Sequence, residues 1–79
     1  MSVKAYILTV VSLGTEYQIA EEILKLGNEK TKVSVDVVFG EYDLVVIVET
    51  TELKEVDRVV TQLRKIPGVQ RTSTLITSR

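Results

Sequence analysis

The chain has 79 residues, of which ten are basic and eleven acidic, and its formal net charge is −1. It contains no cysteine and no histidine, which excludes disulfides, thiolate metal sites and the most common general base. The balanced charge argues against direct binding to nucleic acid, and the longest apolar run, residues 44–48, is too short to span a membrane. We therefore expect one cytoplasmic domain, residues 1–79, with no metal and no cofactor.

The first two predicted elements are a strand and a helix. Val3–Val11 is rich in β-branched and aromatic residues, which are typical of a strand. Thr15–Leu26 has apolar residues at helical spacing. Its first residue and Gln18 have the spacing of a capping box, and Gly27 is suited to a helix C-cap.

Two strands are predicted next, joined by a tight turn. Thr31–Phe39 alternates, with three valines and Phe39 on one side and polar residues on the other. Asp43–Glu49 is apolar on both faces, as in a buried central strand. Between them lies the sequence GEYD, residues 40–43, whose glycine and aspartate are typical turn residues.

The last two elements repeat the helix and strand order. Thr51–Ile66 is predicted to be an amphipathic helix that ends at the Pro-Gly pair, residues 67–68. Its apolar stripe is predicted to consist of Leu53, Val56, Val60 and Leu63, widened by Val59 and Ile66. Val69–Thr77 alternates and is predicted to be the final strand.

The order βαββαβ predicts a ferredoxin-like α+β fold. This fold has a four-stranded antiparallel sheet, and its right-handed crossovers place both helices on one face of that sheet. The strands at Val3–Val11 and Asp43–Glu49 are apolar on both sides, so we expect them in the centre of the sheet.

The face of the sheet without helices would then expose on the order of several hundred Å² of apolar surface in a monomer. A second copy that packs face to face would cover it, and most homo-oligomers have two-fold symmetry. The alternative is that these residues are present only for their strand propensity.

Candidate catalytic chemistry is sparse. Glu41 and Asp43 are two carboxylates close in sequence, but both lie near a turn, where solvation opposes the divergent pKa values that a catalytic pair needs. The isolated glycines do not form a phosphate-binding loop.

Two motifs carry a resemblance to a known family. They are Gly-x-Tyr-Asp at residues 40–43, and Ile-Pro-Gly-Val at residues 66–69 followed by Thr72 and Thr74. With their spacing, they make the whole chain similar to the effector domain of the leucine-responsive/asparagine (Lrp/AsnC) transcription regulators, also called the RAM domain. The N-terminal helix-turn-helix of full-length members is not present in this sequence, which suggests a stand-alone module.

The resemblance implies assembly and ligand binding. Family members form dimers through their sheets, a dimeric α/β-barrel arrangement, and the dimers assemble into octamers or decamers. A small amino acid binds between dimers. Carried over by motif, the ligand-binding residues would be Gly40, Tyr42, Asp43, Thr72 and Thr74. The partners would be an amino-acid effector, further copies of the chain and DNA-binding Lrp/AsnC relatives, with no direct contact to nucleic acid or membrane.

Each residue also has a structural alternative. Gly40 and Asp43 could serve only the turn, the threonines could be ordinary edge-strand residues, and Tyr42 could pack in an interface rather than touch ligand. Phe39 departs from the small polar residue common before the glycine, so it could reshape the pocket. Two other functions stay open: a small monooxygenase-like enzyme of the dimeric α/β-barrel type, and a ring-forming protein without ligand.

Overall fold

A computed structural model describes residues 2–77 of the chain. Six elements follow one another: β1 Val3–Val11, α1 Glu16–Leu24, β2 Thr31–Val37, β3 Leu44–Thr50, α2 Leu53–Arg64 and β4 Val69–Ile76. The predicted βαββαβ order is confirmed, and so is the antiparallel sheet.

The strands lie in the order β2-β3-β1-β4. The two strands predicted to be central are central, because their side chains are apolar on both faces and only the middle of the sheet covers both. The more polar strands β2 and β4 form the edges, and each leaves one row of backbone groups without a strand partner.

Strand register divides the side chains between two faces. Ile7 lies opposite Val46 on β3 and Thr74 on β4, and this row faces the helices. Its neighbour Tyr6 lies opposite Ile47 and Leu75 on the other side, which we call the open face. The apolar residues of the open face are Tyr6, Leu8, Val10, Val45, Ile47 and Leu75.

The core lies between the helices and the helix-facing side of the sheet. Burying one such large aliphatic side chain contributes about 1.5–3 kcal/mol. The largest apolar side chains with no exposed surface are Ile7, Ile23, Leu44 and Leu63. Because they come from both central strands and both helices, one cluster holds all these elements together.

The ends of α1 differ from the prediction. Thr15 precedes the helix but makes no side-chain capping bond; its hydroxyl donates to the carbonyl of Ser12 at 2.6 Å. The capping-box prediction is therefore wrong, because the hydroxyl closes the preceding turn instead. Lys25, the residue that follows the helix, has a right-handed conformation, and Gly27 does not take the positive φ of a glycine C-cap.

The predicted strand end at Phe39 and the predicted start of the apolar stripe at Leu53 are also wrong. Phe39 lies beyond the end of β2 and its side chain is fully exposed, since the strand ends at Val37. Leu53, the first residue of α2, is 59% exposed, whereas Val59 is completely buried. The buried stripe of α2 is therefore centred on Val59 rather than running from the helix start.

Neither helix within residues 2–77 is long and apolar enough to cross a membrane.

Candidate functional site

The predicted site lies at one end of the sheet, which we call the turn end. Here β1 and β2 finish and β3 and β4 begin, so the connections 12–15, 38–43 and 65–68 come together. The amide of Ser12 donates to the carbonyl of Gly68 at 2.8 Å, and the amide of Asp43 donates to the carbonyl of Thr9 at 2.9 Å. Backbone hydrogen bonds therefore tie two of these connections to each other and the third to β1.

Gly40 is required by the backbone of its turn. Its φ is +137°, a conformation that side chains rarely adopt. A Cβ placed there would have no atom within 4 Å, so space is not the reason for glycine. The turn closes where the amide of Val38 donates to the carbonyl of Asp43 at 2.9 Å.

Asp43 connects the turn to β1 through its side chain. Its Oδ2 accepts a hydrogen bond from the amide of Val11 at 2.9 Å, at the point where the β1–β4 register shifts between Val10 and Val11. The Asp43 side chain therefore ties the turn to β1 rather than capping the turn itself. This bond accounts for one carboxylate oxygen, and the side chain is half-buried.

Tyr42 has an aromatic-cation contact that the sequence did not indicate. The guanidinium carbon of Arg71 lies 5.7 Å from the centre of the Tyr42 ring. Arg71 is on the open face of β4, opposite Val10. The contact joins the β2–β3 turn to the edge strand, and it adds a cation to the set of predicted residues.

The two threonines share one face, as predicted, but their surroundings differ. Thr72 lies opposite Thr9, the same residue whose carbonyl binds Asp43, so only β1 separates it from the turn. Thr74 is one row further away, opposite Ile7, and it lines a groove beside α2 with Val60. Thr72 is therefore much closer to the turn end than Thr74.

Large apolar side chains are exposed at the turn end. Leu13 is 96% exposed, Tyr17 75% and Phe39 fully exposed. Each lies on or beside a connection at this end of the sheet. Such residues are unfavourable in water and mark interaction surfaces when they group together.

The opposite end of the sheet, which we call the network end, has the reverse character. The Thr31 hydroxyl donates to Glu55 Oε1 at 2.7 Å and lies 3.2 Å from the Thr50 hydroxyl. Asn28 donates to the same carboxylate at 3.2 Å. Arg58 forms an ion pair with Glu55 at 3.0 Å.

This network has an electrostatic consequence. Hydrogen bonds from Arg58 first, and then from Thr31, lower the pKa of Glu55 from 4.5 to about 2. The guanidinium of Arg58 also donates to the carbonyl of Leu26 at 2.9 Å, just beyond α1. The network therefore joins α2, β2, β3 and the α1–β2 connection.

The described residues offer little for catalysis or metal binding. Glu41 is exposed on the turn, and Asp43 is engaged with β1. Residues 2–77 contain no group of three acidic side chains placed to hold a metal ion.

Comparison with known families gives one match over nearly the whole chain: the Lrp/AsnC ligand binding domain, over residues 6–79. No curated protein sequence shows significant similarity to the chain.

Solved structures resemble the chain in both sequence and fold. The hypothetical protein PHS023 from Pyrococcus horikoshii is 43% identical, with a TM-score of 0.80, over 95% of this chain and 88% of that one. FFRP-DM1 is also 43% identical, with a TM-score of 0.79, over 95% and 97%. TTHA0845 from Thermus thermophilus is 32% identical, with a TM-score of 0.83, over 98% and 94%.

Proposed function

The chain belongs to the Lrp/AsnC ligand-binding domain family, and from this premise we propose that it binds a free amino acid, self-associates and regulates transcription through DNA-binding relatives. The proposal includes no catalysis. The observation that carries it is the composition of the turn end, where a positive-φ glycine, a phenol, a carboxylate and a threonine lie around the end of β1. A family of ligand-binding domains and a polar cluster at a sheet end point to the same role.

Self-association is supported by the open face. Tyr6, Leu8, Val10, Val45 and Ile47 are all only half-buried within one chain. They form a continuous apolar strip on the two central strands, on the side that carries no helix. A second copy packed on this strip would remove it from water, as in face-to-face sheet packing. The proposed higher assembly is a ring of dimers, an octamer or decamer.

The proposed amino-acid site is the turn end of one dimer where it meets the next dimer. Gly40 permits close approach of the backbone, and Asp43 offers its carboxylate to the ligand's ammonium group. Thr72 on β4 offers a hydroxyl, and Thr74 lies two residues further along the same strand. Tyr42 would pack at the junction, where an aromatic ring with a polar tip is favourable.

The dimer is tested by placing a charge on the open face. We expect Ile47→Asp to lower the mass measured by light scattering, because a buried carboxylate without a partner strongly disfavours the interface. The matched control is Thr61→Asp, which adds the same side chain at an exposed position of α2. A single 8.8 kDa species for the unmodified chain at micromolar concentration would contradict self-association.

Ligand binding is tested by calorimetry with each of the twenty proteinogenic amino acids. Saturable binding of at least one of them is expected. If none binds, the effector role is overturned and the ring-forming role remains. Turnover in a monooxygenase screen would contradict the non-catalytic proposal.

The route to DNA is tested separately. We expect no gel shift from this chain alone at physiological salt, because ten basic residues are balanced by eleven acidic ones. We expect a DNA-binding relative to co-purify from native extract. Nanomolar DNA binding by the isolated chain would overturn the indirect mechanism, and with it the need for such a partner.

A further inference from the structure

Beside the turn end, a cleft on edge strand β4 is lined by two arginines and no acidic residue. Its lining residues are Arg64, Val69, Gln70, Arg71 and Thr72. Arg64 is the last residue of α2 and reaches the cleft from the helix side, whereas Arg71 belongs to the open face. The cleft therefore collects positive charge from both sides of the edge strand.

Neither arginine is neutralised within the described chain. The three ion pairs formed within residues 2–77 involve Lys25, Lys54 and Arg58. No side-chain hydrogen bond within the same residues involves Arg64 or Arg71. By contrast, Arg58 donates to both a carboxylate and a carbonyl. The two cleft arginines have donors available, and an anion is the complementary ligand.

The backbone of β4 adds further donors. The amide of Thr77 donates to the carbonyl of Lys4 on β1 at 2.9 Å. Along an edge strand, successive backbone amides point alternately toward the neighbouring strand and toward the free edge. The amide of Thr77 points toward β1, so the amides of Thr72 and Thr74 point toward the free edge. Thr9, which pairs with Thr72, agrees with this alternation. Its carbonyl points away from β4 and accepts a hydrogen bond from the amide of Asp43.

The cleft and the proposed amino-acid site share a residue. Arg71 lines the cleft and also lies against the Tyr42 ring, and Thr72 belongs to both. A free amino acid carries a carboxylate as well as an ammonium group, and the predicted residues include no cation to bind it. We propose that Arg64 and Arg71, with the edge amide of Thr72, bind the carboxylate group of the amino-acid effector. This assignment rests on the proposed function and adds the group that recognises the ligand's negative end.

The test compares each amino acid that binds with its α-carboxamide, in which the charge is removed and the shape retained. We expect the amide to bind about fivefold more weakly, the upper value for one exposed ion pair. Binding of the amino acid should also weaken as salt is raised, because screening reduces the attraction of exposed charges.

The variants Arg64→Gln and Arg71→Gln should each reduce affinity for the amino acid by up to about fivefold, and neither should reduce affinity for the amide. The matched control is Lys65→Gln, which removes the same charge at a neighbouring residue that does not line the cleft. The cation that lies over the Tyr42 ring is Arg71, so Arg64→Gln remains informative if Arg71→Gln disturbs the turn. Thermal melts and light scattering check folding and assembly of each variant.

The outcomes separate two failures. Equal binding of amino acid and amide, or unchanged affinity in both arginine variants, would overturn the carboxylate assignment and leave amino-acid binding intact. An equal loss in Lys65→Gln would show a general charge effect and would also overturn it. If no amino acid binds the unmodified chain, the proposed function fails and the assignment fails with it.

Discussion

At the network end, Thr31, Thr50, Glu55 and Arg58 bond to one another, whereas at the turn end two arginines have no acidic partner within the described chain. The network end buries its threonines, while the turn end exposes a phenylalanine and a leucine almost completely. Both ends belong to the same four-stranded sheet. The difference indicates that one end is complete within a single chain and that the other is suited to contacts outside it.

The largest effect on stability is expected from Thr31→Val at the network end. The buried hydroxyl donates to a carboxylate and contacts Thr50, so its loss removes one donor from Glu55 and one contact of Thr50, whose hydroxyl still donates to the carbonyl of Lys30. We expect unfolding free energy to fall by about 2 kcal/mol and the melting temperature by roughly 10 °C. The control Thr74→Val alters an exposed threonine and should change stability by less than about 0.5 kcal/mol. Equal losses in the two variants would remove the contrast between a bonded and an exposed threonine.

At the turn end, Asp43 combines a structural hydrogen bond to β1 with a proposed contact to the ligand. We expect Asp43→Ala to lower stability by about 1 kcal/mol, since the Val11 amide loses its acceptor. If the carboxylate also binds the ligand's ammonium, affinity should fall by a factor of roughly 10–150.

Asp43→Asn separates these roles, because the amide oxygen still accepts from Val11 but carries no charge. Stability close to that of the unmodified chain together with weakened amino-acid binding would support the ligand role. Unchanged affinity in both variants would restrict Asp43 to the turn.

Acid should weaken the network end selectively. The folded pKa of Glu55 is about 2 and its ordinary value is 4.5, so folding favours the charged form. The resulting stabilisation is fully present above about pH 5 and is lost as the pH falls from 4.5 through 2. Urea unfolding should show the advantage of the unmodified chain over Glu55→Gln shrinking across this range. An advantage independent of pH would show that the charge does not contribute.

The smallest effect on stability is expected from Phe39→Ser at the turn end. The ring is fully exposed in a single chain, so unfolding free energy of the monomer should change by less than about 0.5 kcal/mol. Assembly measured by light scattering should nevertheless weaken if the ring packs on a neighbouring dimer. Leu53→Ser, an exposed apolar residue at the start of α2, is the control and should leave assembly unchanged. Identical masses for all three chains would exclude Phe39 from the interface.

The spacing of apolar residues predicted the fold well, because burial of one or both faces imposes that spacing along a whole helix or strand. The two-sided apolar character of residues 3–11 and 43–49 placed both strands correctly in the centre of the sheet. The ends of elements were less predictable. The hydroxyl of Thr15 could either accept a hydrogen bond from a helix amide, as a cap, or donate one to the preceding turn, and the backbone angles that decide between them depend on packing.

Element order, the central strands and the Gly40–Asp43 turn follow from the order of amino acids alone, because spacing, two-sided hydrophobicity and turn chemistry are local properties. The position of Arg71 against Tyr42, and the cleft that it lines with Arg64, emerge only when the chain is folded. That arrangement depends on strand pairing across residues distant in the chain and on a register shift at Val10 and Val11. A shift of one residue exchanges the two faces of a strand, so no local pattern could have selected these neighbours.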